Sequence, residues 1–167
     1  CHKILMAKKW MGLDNYKAVD VSKVANKIII SETNLLDKKL VKSSITLLQN
    51  YDGLLPLKRL DTLRIASVSI GEEANNFQAM LSNYASVSHF TITEKATIAQ
   101  QAVLLNKLSK YNLVIASVHK SNANAWKSYK IDRKADILLQ SVAMQSKVVV
   151  PIFANPYSLN SFLFTNN

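Results

Sequence analysis

Short apolar runs alternate with helical patterns from Arg64 to Phe153, and this alternation constrains the fold more than any other feature of the chain. Strands are predicted at Arg64–Ile70, Val87–Thr93, Leu113–Val118 and Val148–Phe153. Strands that are apolar along nearly their whole length, as Leu113–Val118 is, are typical of a parallel sheet covered on both faces. Because the crossovers between parallel strands are right-handed, the pattern predicts an α/β protein with a flavodoxin-like, doubly wound parallel sheet.

Helical patterns separate the predicted strands, and a further short helix is predicted after the last one. The three patterns cover Glu72–Tyr84, Ala96–Tyr111 and Asp132–Ser146. Their spacing predicts that the residues facing the core are Ile98, Ala102, Leu105 and Leu108 in the second helix and Ala135, Leu138 and Val142 in the third. In the closing segment Asn155 is predicted to cap the helix, with Pro156 at its first position and Leu159, Phe162 and Leu163 inward.

Upstream of the sheet, the sequence predicts two helices joined by a linker. Lys3–Leu13 has helical spacing, and Gly12 is the expected left-handed stop. Ser31–Lys42 is predicted to be the second helix, opened by Ser31 or Thr33. Asp14–Lys27 is predicted to be the linker between them.

The segment Ser43–Lys58, SSITLLQNYDGLLPLK, joins these helices to the sheet. Its run Ile45–Leu48 is apolar and β-prone, turn-forming residues follow at Asn50–Gly53, and Pro56 keeps the second apolar run from becoming a central strand. The segment is therefore predicted to contain a short strand, a turn and an edge segment.

Two motifs, in this order and separation, resemble family 3 glycoside hydrolases. SITLLQN (Ser44–Asn50) followed by LLPLK (Leu54–Lys58) is similar to the start of the C-terminal α/β-sandwich domain in that family. KILMAKKWMGL (Lys3–Leu13) is similar to the last helix of the family's catalytic barrel. The resemblance implies that residues 1–30 are the end of a barrel and a linker, and that residues 31–167 are an incomplete α/β-sandwich domain, cut short at its C-terminal side.

The resemblance also implies where the chemistry of such a protein is located. The nucleophilic Asp, and the Asp-His acid/base loop of the β-N-acetylhexosaminidase branch, belong to the barrel, whereas the β-glucosidase branch takes its acid/base Glu from the loop after the third strand of the α/β domain. That loop, His119–Ile131, contains no Glu here. The chain is therefore expected to be a non-catalytic domain of the hexosaminidase branch. A retaining mechanism without a cofactor is implied for the parent, with the barrel and a carbohydrate substrate as its partners.

Composition excludes several other classes of protein. A hydrophobic fraction of 49% and a charged fraction of 19% indicate a globular domain rather than disorder. The apolar runs are too short for a membrane helix, and the start of the chain lacks a signal-peptide pattern, which leaves the compartment open. One cysteine, Cys1, excludes an intrachain disulfide and a Cys-based zinc site.

The net charge of +10 does not by itself predict nucleic-acid binding. Its lysines are scattered along the chain, and its only arginines are Arg59, Arg64 and Arg133, whereas base readout and bidentate phosphate contacts favour arginine. We therefore interpret the net charge as that of a solvated, lysine-rich surface. We expect no nucleic-acid partner, and a homodimer formed through apolar surfaces of the first helix or through the open edge of the sheet after Val148–Phe153.

Few residues are candidates for chemistry. No strand is followed by a glycine-rich phosphate loop, and the three histidines are isolated from one another in sequence, so neither a nucleotide nor a metal is predicted. His119 is the best single candidate for a ligand-binding residue, because it ends a strand at the edge where doubly wound folds bind ligands. The competing hypothesis is that His119 has a structural role. The acidic residues near strand ends are Glu72, Glu73 and Glu94. An independent ligand- or protein-binding module remains the alternative function.

Overall fold

The computed structural model describes residues 1–28, 30–50, 52–71, 75–121, 123, 126 and 128–162. The chain divides into two compact units, Cys1–Leu47 and Leu48–Asn167. Helix Ser31–Ser44 therefore groups with the N-terminal unit, whereas the sequence-based division at residue 30 assigned it to the α/β domain.

The N-terminal unit consists of helices α1 (His2–Trp10), α2 (Val21–Ile28) and α3 (Ser31–Ser44). Gly12 follows α1 in the left-handed conformation, at φ 72°, as predicted. The predicted linker is not free of structure, because most of α2 lies within it. The carboxylate of Asp20 accepts hydrogen bonds from the Ser22 backbone N–H (3.1 Å) and hydroxyl (2.6 Å), and this local pattern starts the helix.

The sheet of the second unit has five strands, all paired in parallel: β1 (Ile65–Ile70), β2 (Val87–Ile92), β3 (Leu113–His119), β4 (Lys147–Val149) and β5 (Ile152–Phe153). Their order is β2-β1-β3-β4, and β5 continues beside β3 beyond β4. The predicted strand Val148–Phe153 is thus divided between β4 and β5 around Pro151, which has no N–H to donate. The order confirms the doubly wound parallel sheet.

Capping side chains set the starts of the helices around this sheet, α4 (Asn76–Leu81), α5 (Ile98–Leu108) and α6 (Arg133–Ala143). Asn75, Thr97 and Asp132 each accept a hydrogen bond from a backbone N–H of the first turn. Helix α4 consequently begins later than the predicted Glu72; Glu72 and Glu73 lie outside the described residues.

Asn155 caps Pro156–Ser161 as predicted, although that segment is a 3-10 helix. Its Phe162 is buried and Leu159 packs against the core, whereas Leu163 lies outside the described residues.

The core lies between the sheet and its helices. Every residue of β1 is buried, as are Leu113–Val118 of β3, and Ala135, Leu138 and Val142 of α6 face them as predicted. The predicted face of α5 is wrong in part, because Leu104 and Leu108 are buried while Ile98 is 85% exposed. At 3.6 residues per turn, Ile98 lies roughly 100° and Ala102 roughly 140° around the helix from the direction between these leucines.

The predicted strand at Ile45–Leu48 does not form. Ile45, Leu47 and Leu48 are exposed, and the run pairs with no strand in the described ranges. The turn after it is present: Gly53 N–H donates to the Asn50 carbonyl (3.2 Å), and the Asn50 side chain exchanges two hydrogen bonds with the backbone of Leu55 (2.8 and 3.0 Å). The second apolar run then packs against the core without becoming a strand, through Leu54 and Leu57.

None of the helices within the described ranges is long and apolar enough to cross a membrane.

Candidate functional site

The candidate site lies at the carboxyl ends of β1 and β3, where the strand order reverses and doubly wound folds open a crevice. Gly71 follows β1 with φ +96°, and a Cβ placed on it would lie 2.5 Å from the carbonyl oxygen of His119. A side chain at this position would therefore push the ends of β1 and β3 apart. Glycine allows the two strand ends to approach closely.

His119 ends β3 and is half-buried, at the edge where the sequence predicted it. Its Nε2 lies 3.0 Å from Ser117 Oγ and 3.3 Å from Asn75 Nδ2, and its ring stacks on Phe153 with the ring centres 4.8 Å apart. Asn75 Oδ1 accepts the Gln78 N–H, and this bond fixes which way the Asn75 amide points. The atom that faces His119 is therefore Nδ2, a donor, which also donates to Ser69 Oγ at 2.8 Å. The contact with Asn75 therefore requires an unprotonated Nε2.

The contact between Ser117 and His119 has the distance of a nucleophile and its base, but it does not form a reactive pair. Ser117 is fully buried, and its hydroxyl is also positioned to donate to the Val68 carbonyl at 3.3 Å. A substrate cannot reach a side chain with no exposed surface. The arrangement fixes the imidazole and ties β3 to β1.

Glu94, the predicted acidic residue at the end of β2, forms an ion pair across the same edge. Its carboxylate oxygens lie 2.7 and 3.0 Å from Lys120 Nζ, and both side chains are mostly buried. One of these oxygens also accepts the Asp132 N–H at 3.4 Å, and the Asp132 carboxylate itself caps α6 through the Lys134 N–H. The loops after β2 and β3 are therefore joined above the end of β1.

Sequence reasoning missed Asn75, Gln78 and Lys120. Gln78 is buried, and its amide donates to the Ser67 carbonyl (3.3 Å), the Ser67 hydroxyl (3.2 Å) and the Phe90 carbonyl (3.0 Å), so it holds β1 to β2. Glu94 and Lys120 each follow a predicted strand, so the sequence places both at one edge of a parallel sheet, but their pairing depends on the strand order. Asn75 and Gln78 are spaced as a cap and its third helical residue, but the pattern does not show that they contact the sheet.

The described residues hold no group of three or more His, Cys, Asp and Glu side chains that could bind a metal ion. His89 lies on β2, with Nε2 2.8 Å from Ser82 Oγ. Its ring is thereby linked to the end of α4, away from His119 on β3.

Comparison with known proteins gives no further assignment, since no family model, no curated protein and no solved structure matches the chain. The resemblance to family 3 glycoside hydrolases therefore rests on the two motifs alone. The fold class, in contrast, is visible directly in the sheet.

Proposed function

We propose that this chain is the non-catalytic α/β-sandwich domain of a glycoside hydrolase, with the helix that ends the catalytic barrel and the linker. The parent enzyme cleaves β-N-acetylhexosaminides or related β-glycosides with retention and without a cofactor, and the domain packs on the barrel and supports it. The two motifs support this proposal, and so does the α/β fold, which is the fold that the resemblance implies.

The observation that carries the non-catalytic role is that the carboxylates and the imidazole described at the carboxyl edge are all engaged within the domain. Glu94 is paired with Lys120, Asp132 caps α6, and His119 contacts Ser117 and Asn75. A glycosidase needs two carboxyl groups on either side of the scissile bond, about 5 to 5.5 Å apart in retaining enzymes. Glu94 is held instead by a cation and a backbone N–H, which suits a structural bridge between loops.

The exposed apolar side chains of the first helix support packing on a barrel. Ile4, Leu5 and Met11 are mostly exposed, and Trp10 is 88% exposed. Large apolar side chains clustered on one short helix are typical of a surface that another domain covers.

The experiment is a comparison of this chain with the product of its full reading frame, using an aryl β-N-acetylglucosaminide as substrate. We expect the frame to continue upstream into a barrel with an Asp-His loop, and we expect turnover by the whole protein and none by this chain. Glu94→Gln in the whole protein should leave kcat within about twofold, like the control Glu32→Gln on exposed α3, because neither group takes part in chemistry. Loss of kcat in a folded Glu94→Gln enzyme would refute the non-catalytic role, and a frame without a barrel would refute the family.

An independent ligand- or protein-binding module is the second candidate. It is favoured by the position of Asn75 and His119 at the point where the strand order reverses. A reading frame without a barrel, together with a ligand that shifts the His119 ring resonances in nuclear magnetic resonance (NMR) spectra, would establish it. Unchanged His119 resonances across a panel of nucleotides, sugars and carboxylic acids would count against it.

A further inference from the structure

Strand β2 ends the sheet with an outer edge that is long and regular. All six of its residues pair one-to-one with β1, without a bulge, and its sequence VSHFTI contains neither lysine nor proline. Edge strands usually carry a bulge, a lysine or a proline, because an edge without them pairs readily with other chains. No strand within the described ranges pairs with this outer edge.

The backbone groups available at this edge follow from the pairing with β1. The Ile92 carbonyl accepts the Gly71 N–H at 3.1 Å and so faces β1. Since successive residues of a strand direct their backbone groups to alternate sides, the N–H and C=O groups of Val87, His89 and Thr91 face outward. The side chains of His89 and Thr91 are exposed, on the face of the sheet opposite to Phe90 and Ile92.

A groove of about 500 Å³ runs between this edge and α5. Its apolar surface comes from Phe90 and Ile92 on the strand and from Ala99 and Val103 on the helix. A strand added to β2 would place alternate side chains on this surface while its backbone bonds to the edge, as in binding by β-augmentation.

The unpaired charges described around the groove are positive. Among the described residues that line it, the one charged side chain is Lys107. Lys95 is exposed beside Ala96, which also lines the groove, and the carboxylate of Glu94 near Gly71 is paired with Lys120. An occupant with carboxylates is therefore favoured, since it would face unpaired lysines.

A second copy of the chain is a poorer occupant. Pairing of two β2 edges about a two-fold axis would bring identical lysine-bearing surfaces together. Each copy also carries a net charge of +10. Repulsion between like charges opposes this dimer at low ionic strength.

We propose that the groove between β2 and α5 binds an extended acidic peptide segment of a partner protein, which adds as a strand to the outer edge of β2. Main-chain hydrogen bonds to His89 and Thr91 provide the register. Apolar residues of the segment pack against Phe90, Ile92 and Val103, and its carboxylates face Lys95 and Lys107.

The probe is a short labelled peptide whose alternate, groove-facing positions carry glutamate at both ends and valine between them, with threonine at the positions that face away. It is compared with the same peptide carrying glutamine in place of glutamate. Fluorescence anisotropy at low ionic strength should show at least about tenfold tighter binding of the glutamate peptide, which corresponds to about 1.4 kcal/mol. Hydrogen exchange at the His89 and Thr91 amides should slow when the peptide is bound, because these N–H groups become donors to the added strand.

Two variants test the two halves of the site. Thr91→Pro removes an outward N–H that has no role within the sheet, and it should weaken binding about tenfold, the value of roughly one hydrogen bond. Lys107→Glu should weaken the glutamate peptide and not the glutamine peptide, whereas the control Lys134→Glu, on α6, should change neither. Val103→Glu, an exposed position in the groove, provides a substitution outside the strand if Thr91→Pro disturbs β2.

Equal affinity for the glutamate and glutamine peptides would overturn the acidic specificity. Unchanged binding by folded Thr91→Pro and Val103→Glu variants would show that the edge and groove are not the site. A dimer at low ionic strength that Thr91→Pro abolishes would assign the edge to a second copy and refute the proposal. All these measurements are independent of the proposed glycosidase parent, because they report on binding by the α/β unit itself.

Discussion

At the scale of single residues, the close approach of Gly71 to His119 determines how the ends of β1 and β3 fit together. Gly71 lies in the left-handed region at φ +96°, and the space where its Cβ would lie is occupied by a backbone oxygen, which cannot rotate away. The contacts of His119 with Asn75 and Ser117 depend on this approach. A change at Gly71 should therefore affect both stability and the position of the imidazole.

We predict that Gly71→Ala lowers the free energy of unfolding by about 2 to 3 kcal/mol, because backbone strain and a backbone clash add together. Gly53 is the matched control: its φ is +60°, and a Cβ there meets nothing within 4 Å. Gly53→Ala should cost about 1 kcal/mol, the strain alone. Urea titrations measure both, and equal losses would contradict the clash.

A pH prediction follows from Asp20 at the start of α2. The hydroxyl of Ser22, and then the ammonium of Lys23, hold the pKa of the Asp20 carboxyl below its ordinary value. A depressed pKa means that the contribution of this carboxylate to helix stability is present above the unfolded-state pKa and is lost as pH falls through the folded-state pKa. An NMR titration should show a lowered pKa for Asp20, and Ser22→Ala should raise it; an unchanged pKa in Ser22→Ala would assign the effect to Lys23.

At the scale of secondary-structure elements, the sequence predicted the buried strands and α6 better than α5 and the segment before the sheet. β1 and β3 are buried on both faces, so their composition alone identifies them. On α5, Ile98 fits the predicted apolar stripe, but the sheet meets the helix along Leu104 and Leu108. Periodicity identifies a helix, whereas the orientation of its face also depends on where the helix lies on the sheet. The apolar run Ile45–Leu48 does not form the predicted strand, because a strand needs a neighbouring strand to pair with. The composition of the run does not show whether such a neighbour is present.

The orientation of α5 can be tested by a pair of substitutions. Leu104→Ala should lower the free energy of unfolding by about 2 to 5 kcal/mol, since it removes a buried side chain from the core. Ile98→Ala should change it by less than about 0.5 kcal/mol, as expected for an exposed position. Chemical denaturation of both variants gives the comparison, and a larger loss for Ile98→Ala would restore the face predicted from the sequence.

The candidate site was predictable only in its location. That His119 and Glu94 would lie at the carboxyl edge follows from their positions at the end of β3 and just after β2. Their partners could not be predicted, because Asn75 and Lys120 are distant in sequence and meet these residues only once the strand order is fixed. The ring of Phe153 stacks on His119 for the same reason, since β5 reaches β3 through a long crossover.

At the scale of the whole molecule, buried residues are concentrated in the second unit. In the described part of the first unit, residues 1–28 and 30–47, none is buried. The core residues of the second unit lie in and around the sheet, and include Phe162 and Leu139. The hydrophobic contribution to folding therefore belongs almost entirely to Leu48–Asn167.

We predict that Leu48–Asn167, produced alone, unfolds cooperatively at the same midpoint temperature as the whole chain, because it retains the sheet and its helices. Circular dichroism and calorimetry of the two proteins test this. In the whole chain, amide hydrogens of α1 to α3 should exchange much faster than those of β1 and β3. A markedly lower midpoint for the shorter protein would show that the first unit contributes to the stability of the second.

We expect the open edge of β2 to make the solubility of the protein dependent on salt. The repulsion between copies that carry a charge of +10 acts over a Debye length of about 10 Å at 0.1 M ionic strength and only about 3 Å at 1 M. Light scattering should therefore show clusters growing as sodium chloride is added, the reverse of ordinary salting-in, and Thr91→Pro should suppress them. Concentrated solutions of this protein should then resist aggregation best at low ionic strength, where repulsion between the lysines of different copies keeps the copies apart.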